Sequence, residues 1–210
     1  VHPGLELLTT TRAVRRRLDL TRPVPRELLL QCVDVAQQAP TAGNGQGWRF
    51  VIIDDPVQRR RLAEIYRDAG LGLLEDGLAN AGDDQTRRVY ESAIHLARHL
   101  EQVPVHVIPL LVGRPDSWGE DFVGGVYANI LPATWSFMLA ARALGLGTCW
   151  TTSTLARQAD VAEALGLPDD VTQVGLIPTA YFTGTSFKPA RRPAPERIVS
   201  WDRWAFDDQP

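Results

Sequence analysis

Four arginines crowd the segment Thr11-Arg12-Ala13-Val14-Arg15-Arg16-Arg17, and Lys188, Arg191 and Arg192 form a second cationic cluster far downstream. Guanidinium groups grip phosphate oxygens through paired hydrogen bonds, and the small Ala13 would let such an anion approach the backbone. On local sequence the first cluster has three readings: a solvated basic face, an anion site, or a basic helix that reads DNA. Between the clusters, Ala39-Pro40-Thr41-Ala42-Gly43-Asn44-Gly45-Gln46-Gly47-Trp48 strings together small and amide residues whose backbone can touch a flat ligand. By itself that stretch reads equally as a polar, glycine-rich connector. Together the three segments suggest a bound phosphate that carries an aromatic ring.

Other chemistries lack their residues. No GxSxG, HExxH or P-loop pattern occurs, and no GxGxxG follows a strand pattern and opens a helix, so a nicotinamide coenzyme is not expected in a Rossmann site. His95, His99 and His106 lie within helix or strand patterns and His2 is terminal; none neighbours a serine, cysteine or carboxylate in a catalytic motif. They read as structural or surface residues. Cys32 and Cys149 sit in apolar surroundings with no CxxC and no histidine at metal spacing, so each reads as a small buried hydrophobe and no metal site is expected. Cysteine usage of this kind fits a reducing cytoplasm. Val1-His2-Pro3-Gly4 opens no basic region followed by an apolar run, so a secretory signal is not expected unless one was removed.

The elements that must position these groups belong to a chain of 210 residues, 44% apolar and 22% charged with a formal net charge of −3, which predicts one ordinary folded domain and no nucleic-acid partner. Lysine occurs once, at Lys188, so arginine is this chain's general cation and no single arginine weighs much. The pattern predicts helices over residues 4–11, 26–38, 57–69, 86–100, 123–143 and 155–165, and strands over 48–54, 103–112, 148–152 and 171–182. The first helix runs into the arginine cluster. Gly70 to Asp84, rich in Gly, Ala and Asp, reads as a mobile loop or broken helix. Pro104 and Pro109 push the second strand toward a sheet edge or shorten it, and Pro178 breaks the fourth. The apolar run Val123 to Leu146, interrupted by Asn129, Pro132 and Arg142, reads as a buried helix rather than a bilayer span. After Gly184 the tail is proline-rich and holds Trp201 and Trp204, which need cover that a second subunit could supply.

These residues resemble the flavin-dependent nitroreductase family. Thr11 to Arg17 followed by Pro23-Val24 looks like the family's R-R-S-x-R segment, and Ala39 to Trp48 is similar to its A-P-S-x-x-N-x-Q-P-W loop. Leu144-Gly145-Leu146-Gly147 with Thr151-Thr152-Ser153 resembles the segment beside the flavin ring, and Ile177 to Tyr181 with Lys188 to Pro193 resembles the closing strand and second phosphate contact. Three departures stand out. Thr11 takes the place of an arginine, Ala13 that of a serine that donates to the phosphate, and Gly47 that of the proline before Trp48.

The resemblance implies an α+β sandwich, a mostly antiparallel sheet flanked by helices, over residues 1–210 as one domain. It implies an intertwined homodimer with residues 184–210 wrapping the partner and two FMN sites at the interface. By the same carry-over, Arg12, Ala13, Arg15, Arg16, Pro40, Thr41, Asn44, Thr151, Thr152, Ser153 and Arg191 are the expected FMN contacts. NADH or NADPH would be the electron donor, and the flavin N5, not a side chain, would carry the chemistry. The implied activity is ping-pong reduction of nitroaromatics, quinones or similar electron-poor acceptors. The alternatives are an FMN-dependent dehydrogenase or oxidase of a biosynthetic intermediate, a flavin store without turnover, and a nucleic-acid binder. Strand order is not legible at this level.

Overall fold

Local signals start the first four helices where the computed structural model, which describes residues 2–185 and 187–206, places them. His2 accepts from the Gly4 N–H to open α1 (Pro3–Thr10), and Pro25 stands just ahead of α2 (Arg26–Ala36). The Asp55 carboxylate caps the N–H groups of Val57 and Gln58 at α3 (Pro56–Ala79), and Asp83 does the same for Gln85 and Thr86 at α4 (Asp84–His99). Two further helices, α5 (Val123–Ala143) and α6 (Gln158–Leu165), follow; Gly166 ends α6 at φ +63°.

Two expectations fail in this region. Residues 12–17 are not helical, because α1 ends at Thr10, the Val14 N–H then donates to the Thr148 carbonyl at 2.8 Å, and Arg16 and Arg17 form a turn closed by the Leu18 N–H on the Arg15 carbonyl at 3.2 Å. Gly70 to Ala79 is not a loop, since α3 continues unbroken to Ala79, and the helical path breaks only at residues 80–83 ahead of α4. Its glycines serve close packing: a Cβ on Gly70 would lie 2.5 Å from the Ser153 Oγ, and one on Gly77 would lie 2.3 Å from the Tyr90 ring. Leu71, Leu73, Leu74 and Leu78 supply the helix propensity between them.

The strands are β1 (Trp48–Ile53), β2 (Val105–Val112), β3 (Leu146–Thr148), β4 (Val171–Gln173) and β5 (Ile177–Tyr181), in the order β1-β2-β5-β3 with β4 also on β2. All the ladders are antiparallel. Despite its prolines β2 is central, pairing with β1 on one side and with β4 and β5 on the other. Pro104 falls just outside it. Pro109 falls where the second neighbour changes, between Val107, the last residue paired with β5, and Leu110, the first paired with β4. A missing N–H there removes no ladder bond, and the Pro109 carbonyl still accepts from Val174.

The expected fourth strand divides into β4 and β5 at Gly175, not at Pro178. Gly175 has φ +145°, and a Cβ there would meet the Thr151 carbonyl oxygen at 2.6 Å. Gly175→Ala is therefore expected to cost about 3 kcal/mol, from backbone strain plus overpacking, measurable by urea unfolding at neutral pH. A variant as stable as the parent would show that this corner relaxes freely.

Alternation along the central strands sends side chains to two layers. Val105 and Val107 join Phe137 and Met138 of α5 and Leu29 and Cys32 of α2, whereas Ile108 and Leu110 join Leu62 and Tyr66 of α3 and Leu96 of α4. Residues 120–143, which contain α5, form the one helix among the described residues long and apolar enough to cross a membrane by length and composition. Within this fold α5 instead sends Ile130, Ala133, Phe137 and Ala141 into the core.

His106 is buried among the second set, with Nε2 donating to the Leu100 carbonyl at 2.9 Å and Nδ1 unpartnered. Burial, reinforced by the Arg59 charge against the opposing Leu100 bond, pulls its pKa down to about 4. The unfolded chain takes up this proton near pH 6.5 and the folded one does not, so stability is present above that pH and falls from there toward pH 4. At pH 5 the loss is about 2 kcal/mol relative to pH 7. Urea unfolding at both pH values should show it, and His106→Phe should flatten the difference.

Candidate active site

Thr148 at the end of β3 organises the first set of functional residues. Ala13 bridges to it in parallel, which lays Arg12 to Arg17 along the sheet edge, and Leu18 bridges onward to Phe182. The four arginines then go to different neighbours. Arg12 donates to the Lys188 carbonyl at 2.9 Å, Arg15 to the Ser92 hydroxyl of α4 at 3.1 Å, and Arg17 to the Thr183 carbonyl at 2.6 Å; Arg16 lies 3.8 Å from Glu91. Four cations pointing four ways on a non-helical segment do not make a DNA-reading helix.

The Arg12 bond also brings the Lys188 backbone, three residues ahead of Arg191, beside the first cluster. Among the described residues no carboxylate pairs with Arg12, Arg15 or Arg191. Arg16 is different, since Glu91 shares its charge. Two clusters separated in sequence thus meet in space at Arg12 and Lys188, with donors left over for an anion.

Beyond Thr148 the chain enters the 149–153 turn. The buried Thr151 exchanges both backbone hydrogen bonds with Leu176, and its hydroxyl donates to the same Leu176 carbonyl at 2.7 Å. Its polar groups therefore anchor the turn. Thr152 is exposed and Ser153 half-buried. Both border a cavity of about 380 Å³ shared with Gly70 and Leu73 of α3, Tyr90 of α4 and Ala156. Volume of that order suits a ring-sized ligand.

A polar seam joins this cavity to the arginines. The buried Tyr66 of α3 lies beside Ser153 and Thr151; burial pushes its phenol up, and those side chains with the Arg15 charge pull the other way. Burial likewise raises the Cys149 thiol, against the opposing effect of Arg15 beside it. Burial pushes Cys32 up to about 11. Neither thiol is a nucleophile at neutral pH. Sequence reasoning missed Tyr66 and Ser92 as parts of the site: Tyr66 shows only as one more core position at helical spacing, and nothing around Ser92 marks it.

The remaining expected residues lie elsewhere. Pro40, Thr41 and Asn44 belong to the loop that enters β1, where Gly43 and Asn44 take left-handed backbone at φ +58° and +57° and the Gln46 side chain donates to the Asn44 Oδ1 at 2.8 Å. Asn129 of α5 holds this loop by accepting from the Ala42 N–H at 2.7 Å. Its signal in the sequence is a polar residue inside an apolar helix. The loop thus sits on the α2/α5 layer beside β1, whereas Thr152 and Ser153 sit on the α3/α4 layer beside β3. β1 and β3 are the two ends of the path β1-β2-β5-β3, three strand spacings or roughly 14 Å apart. The sheet and its two layers lie between the halves.

Comparison with known proteins agrees with this architecture. The nitroreductase family model matches residues 8–181. The chain belongs to the nitroreductase family. Arg12, Ala13, the loop and the 149–153 turn fall inside the matched range, and Arg191 falls outside it. Among nitroreductase relatives, "Protein DrgA" of Synechocystis is 34% identical over 130 residues, a match that spans only 55% of this chain and 55% of that protein. A protein of Archaeoglobus fulgidus, provisionally named an NADH dehydrogenase/NAD(P)H nitroreductase, is 25% identical over 84% of each chain.

Solved structures share the nitroreductase fold at lower identity. Iodotyrosine deiodinase bound to FMN and 3-iodo-L-tyrosine superposes with a TM-score of 0.73 at 19% identity, covering 95% of this chain and 99% of that one. An FMN- and NADPH-dependent nitroreductase from Sphigopyxis sp. strain HMH gives 0.65 at 21% identity, covering 96% and 99%.

Proposed function

We propose that this chain is an FMN-dependent NAD(P)H oxidoreductase that works as a homodimer and reduces nitroaromatic, quinone or similar electron-poor acceptors. The observation that carries the reading is the carboxylate-free cationic corner of Arg12, Arg15 and Arg191 beside a ring-sized cavity rimmed by Thr152 and Ser153. A flavin mononucleotide has the matching parts, a dianionic phosphate and a flat ring. Relatives and structural neighbours named for NAD(P)H or FMN support the same assignment.

In this reading Arg12 and Arg191 take the phosphate from the solvent side, and Arg15, held by Ser92, meets it from the protein side. Ala13 offers backbone and no hydroxyl. Tyr66 and Thr151 hold the turn so that Thr152 and Ser153 face the ring without reorganising. When bound, FMN supplies hydride acceptance from NAD(P)H and electron delivery to the acceptor. The side chains bind, orient and exclude water; none is needed as a general acid or base.

The loop of Pro40, Thr41 and Asn44 cannot reach that ring from within its own chain, so a second copy supplies it. Exposed apolar side chains suit such a pairing: Phe122, Leu131, Trp135 and Leu144 on and around α5, and Trp201 and Trp204 on the tail, at 83% and 80% exposure. Cover for both tryptophans comes from the partner in this arrangement.

The test is the visible spectrum of the purified protein, followed by anaerobic addition of NADH or NADPH. Oxidised-flavin bands that bleach, and return when an acceptor is added, are the expected result. Bound flavin that never bleaches would shift the reading to a dehydrogenase or a store, and no flavin after reconstitution would overturn it.

A further inference from the structure

Past β5 the chain is tied to the arginine segment before it runs out toward solvent. The Thr183 N–H donates to the Arg17 carbonyl at 2.8 Å, the Arg17 Nε donates back to the Thr183 carbonyl at 2.6 Å, and the chain turns at Gly184 with φ +83°. Beyond that turn the Arg17 guanidinium carbon lies over the Phe187 ring, 4.1 Å from its centre, and that of Arg142, near the end of α5, stands 5.0 Å from the same ring. Both cations also face Phe182, at 5.6 and 4.9 Å, and the two rings pack with their centres 5.0 Å apart. Each of these separations falls within the roughly 6 Å over which a ring face attracts a cation.

Arg142 interrupts an apolar helix, and its Nε is buried without a hydrogen-bond partner among the described residues. Such a donor is costly to bury, and the two ring faces are the compensation this geometry offers. Phe187 is also the last described residue that packs against the hydrophobic core; Ile198, Trp201 and Trp204 beyond it are 68%, 83% and 80% exposed. Lys188 follows directly, and its carbonyl takes the Arg12 guanidinium at 2.9 Å. From Lys188 the chain can span at most about 11 Å to Arg191, and Pro189 fixes one backbone angle on the way. Anchoring Phe187 therefore restrains two of the cations proposed for the phosphate.

We propose that Phe187 is a positioning residue for the flavin phosphate site, held by Arg17 and Arg142 so that the Lys188 carbonyl aims Arg12 and the tail carries Arg191 to the same anion. The inference rests on the flavin reading. Arg17 and Arg142 act through the ring and need not touch the phosphate themselves.

The experiment titrates the apoprotein with FMN and with riboflavin, which has the same ring system and no phosphate, for the parent and its Phe187→Ala, Phe187→Leu and Phe187→Tyr variants. None of these changes removes a charge, so a loss confined to FMN reports cations displaced rather than deleted. Phe187→Ala is expected to lower FMN affinity roughly tenfold, about the worth of one misplaced charge-assisted bond, and to leave riboflavin affinity within roughly twofold of the parent's. Phe187→Leu keeps apolar bulk without the ring faces and should follow alanine, whereas Phe187→Tyr should restore the parent's preference for FMN. Circular dichroism checks the fold of each variant. Equal losses for the two ligands would make Phe187 a general packing residue and overturn the proposal. Unchanged FMN affinity in Phe187→Ala, or a Phe187→Leu variant with the parent's preference, would overturn it as well. A parent that binds neither ligand would overturn the flavin reading, and the role given to Phe187 with it. Amide hydrogen exchange at Thr183 reads the anchor without any flavin: it should quicken in Phe187→Ala, and exchange at the parent's rate would show that the ring holds nothing in place.

Discussion

Arg12→Ala combined with Arg191→Ala is expected to weaken FMN binding by about 3 kcal/mol, on the order of 100-fold, because each removes a charge-assisted bond worth at least about 1.5 kcal/mol. Both side chains are exposed, and Arg12 is tied only by one bond to the Lys188 carbonyl, so the fold itself should survive. Fluorescence titration of reconstituted protein measures the loss, and raised salt should weaken the parent more than the variant. Arg16→Ala is the internal control. Glu91 shares its charge, so its removal should matter much less. A double variant that keeps its flavin through gel filtration as the parent does would remove the phosphate from this corner.

Complementation between two inactive subunits has the second largest expected effect. One subunit carries Arg12→Ala with Arg191→Ala; the other carries Thr41→Ala with Asn44→Ala in the loop that the sheet separates from the arginines. Each homodimer should lose flavin. In a heterodimer isolated through two different tags, one site receives the intact arginines of one subunit and the intact loop of the other, while the second site receives both defects. About one flavin per dimer is then expected, against about two in the parent. If both halves served a ring within one chain, every site in the heterodimer would carry one defect and no flavin would return. The measurement therefore tests the split site directly, through occupancy as well as turnover.

Much of the secondary structure was legible because it rests on local rules. Helical spacing of Leu29, Cys32 and Ala36 marked α2, and all three are buried. The run Trp48 to Ile53 marked β1, whose alternate residues do divide between the two layers. Failures clustered at glycine and proline, whose meaning depends on what approaches them. Gly70 and Gly77 looked like breaks because a glycine-rich stretch lowers helix propensity, but Ser153 and Tyr90 come too close for a side chain. Pro109 looked like an edge residue because it cannot donate, but it falls at the junction of two neighbours on the same side of β2.

The candidate site was legible in kind and not in arrangement. Arginine clusters, the Pro40–Asn44 loop and the Thr151–Ser153 turn announced phosphate and ring recognition by residue type alone. Nothing local distinguished Thr151, buried and bonded to Leu176, from Thr152, which is exposed. Tyr66, Ser92 and Asn129 were hidden for the same reason, since each acts through a neighbour 20 or more residues away in sequence.

The sequence by itself determined most of the elements, the buried cysteines, the absence of a recognised catalytic triad motif and the inventory of anion- and ring-binding residues, because propensity, periodicity and side-chain chemistry are local properties. Only the tertiary structure decided that β2 is central, that the two cationic clusters share a corner and that the loop lies across the sheet from it. Those facts depend on pairings between distant segments, such as Ala13 with Thr148 and Trp48 with Leu111, that become favourable only when whole faces are buried together.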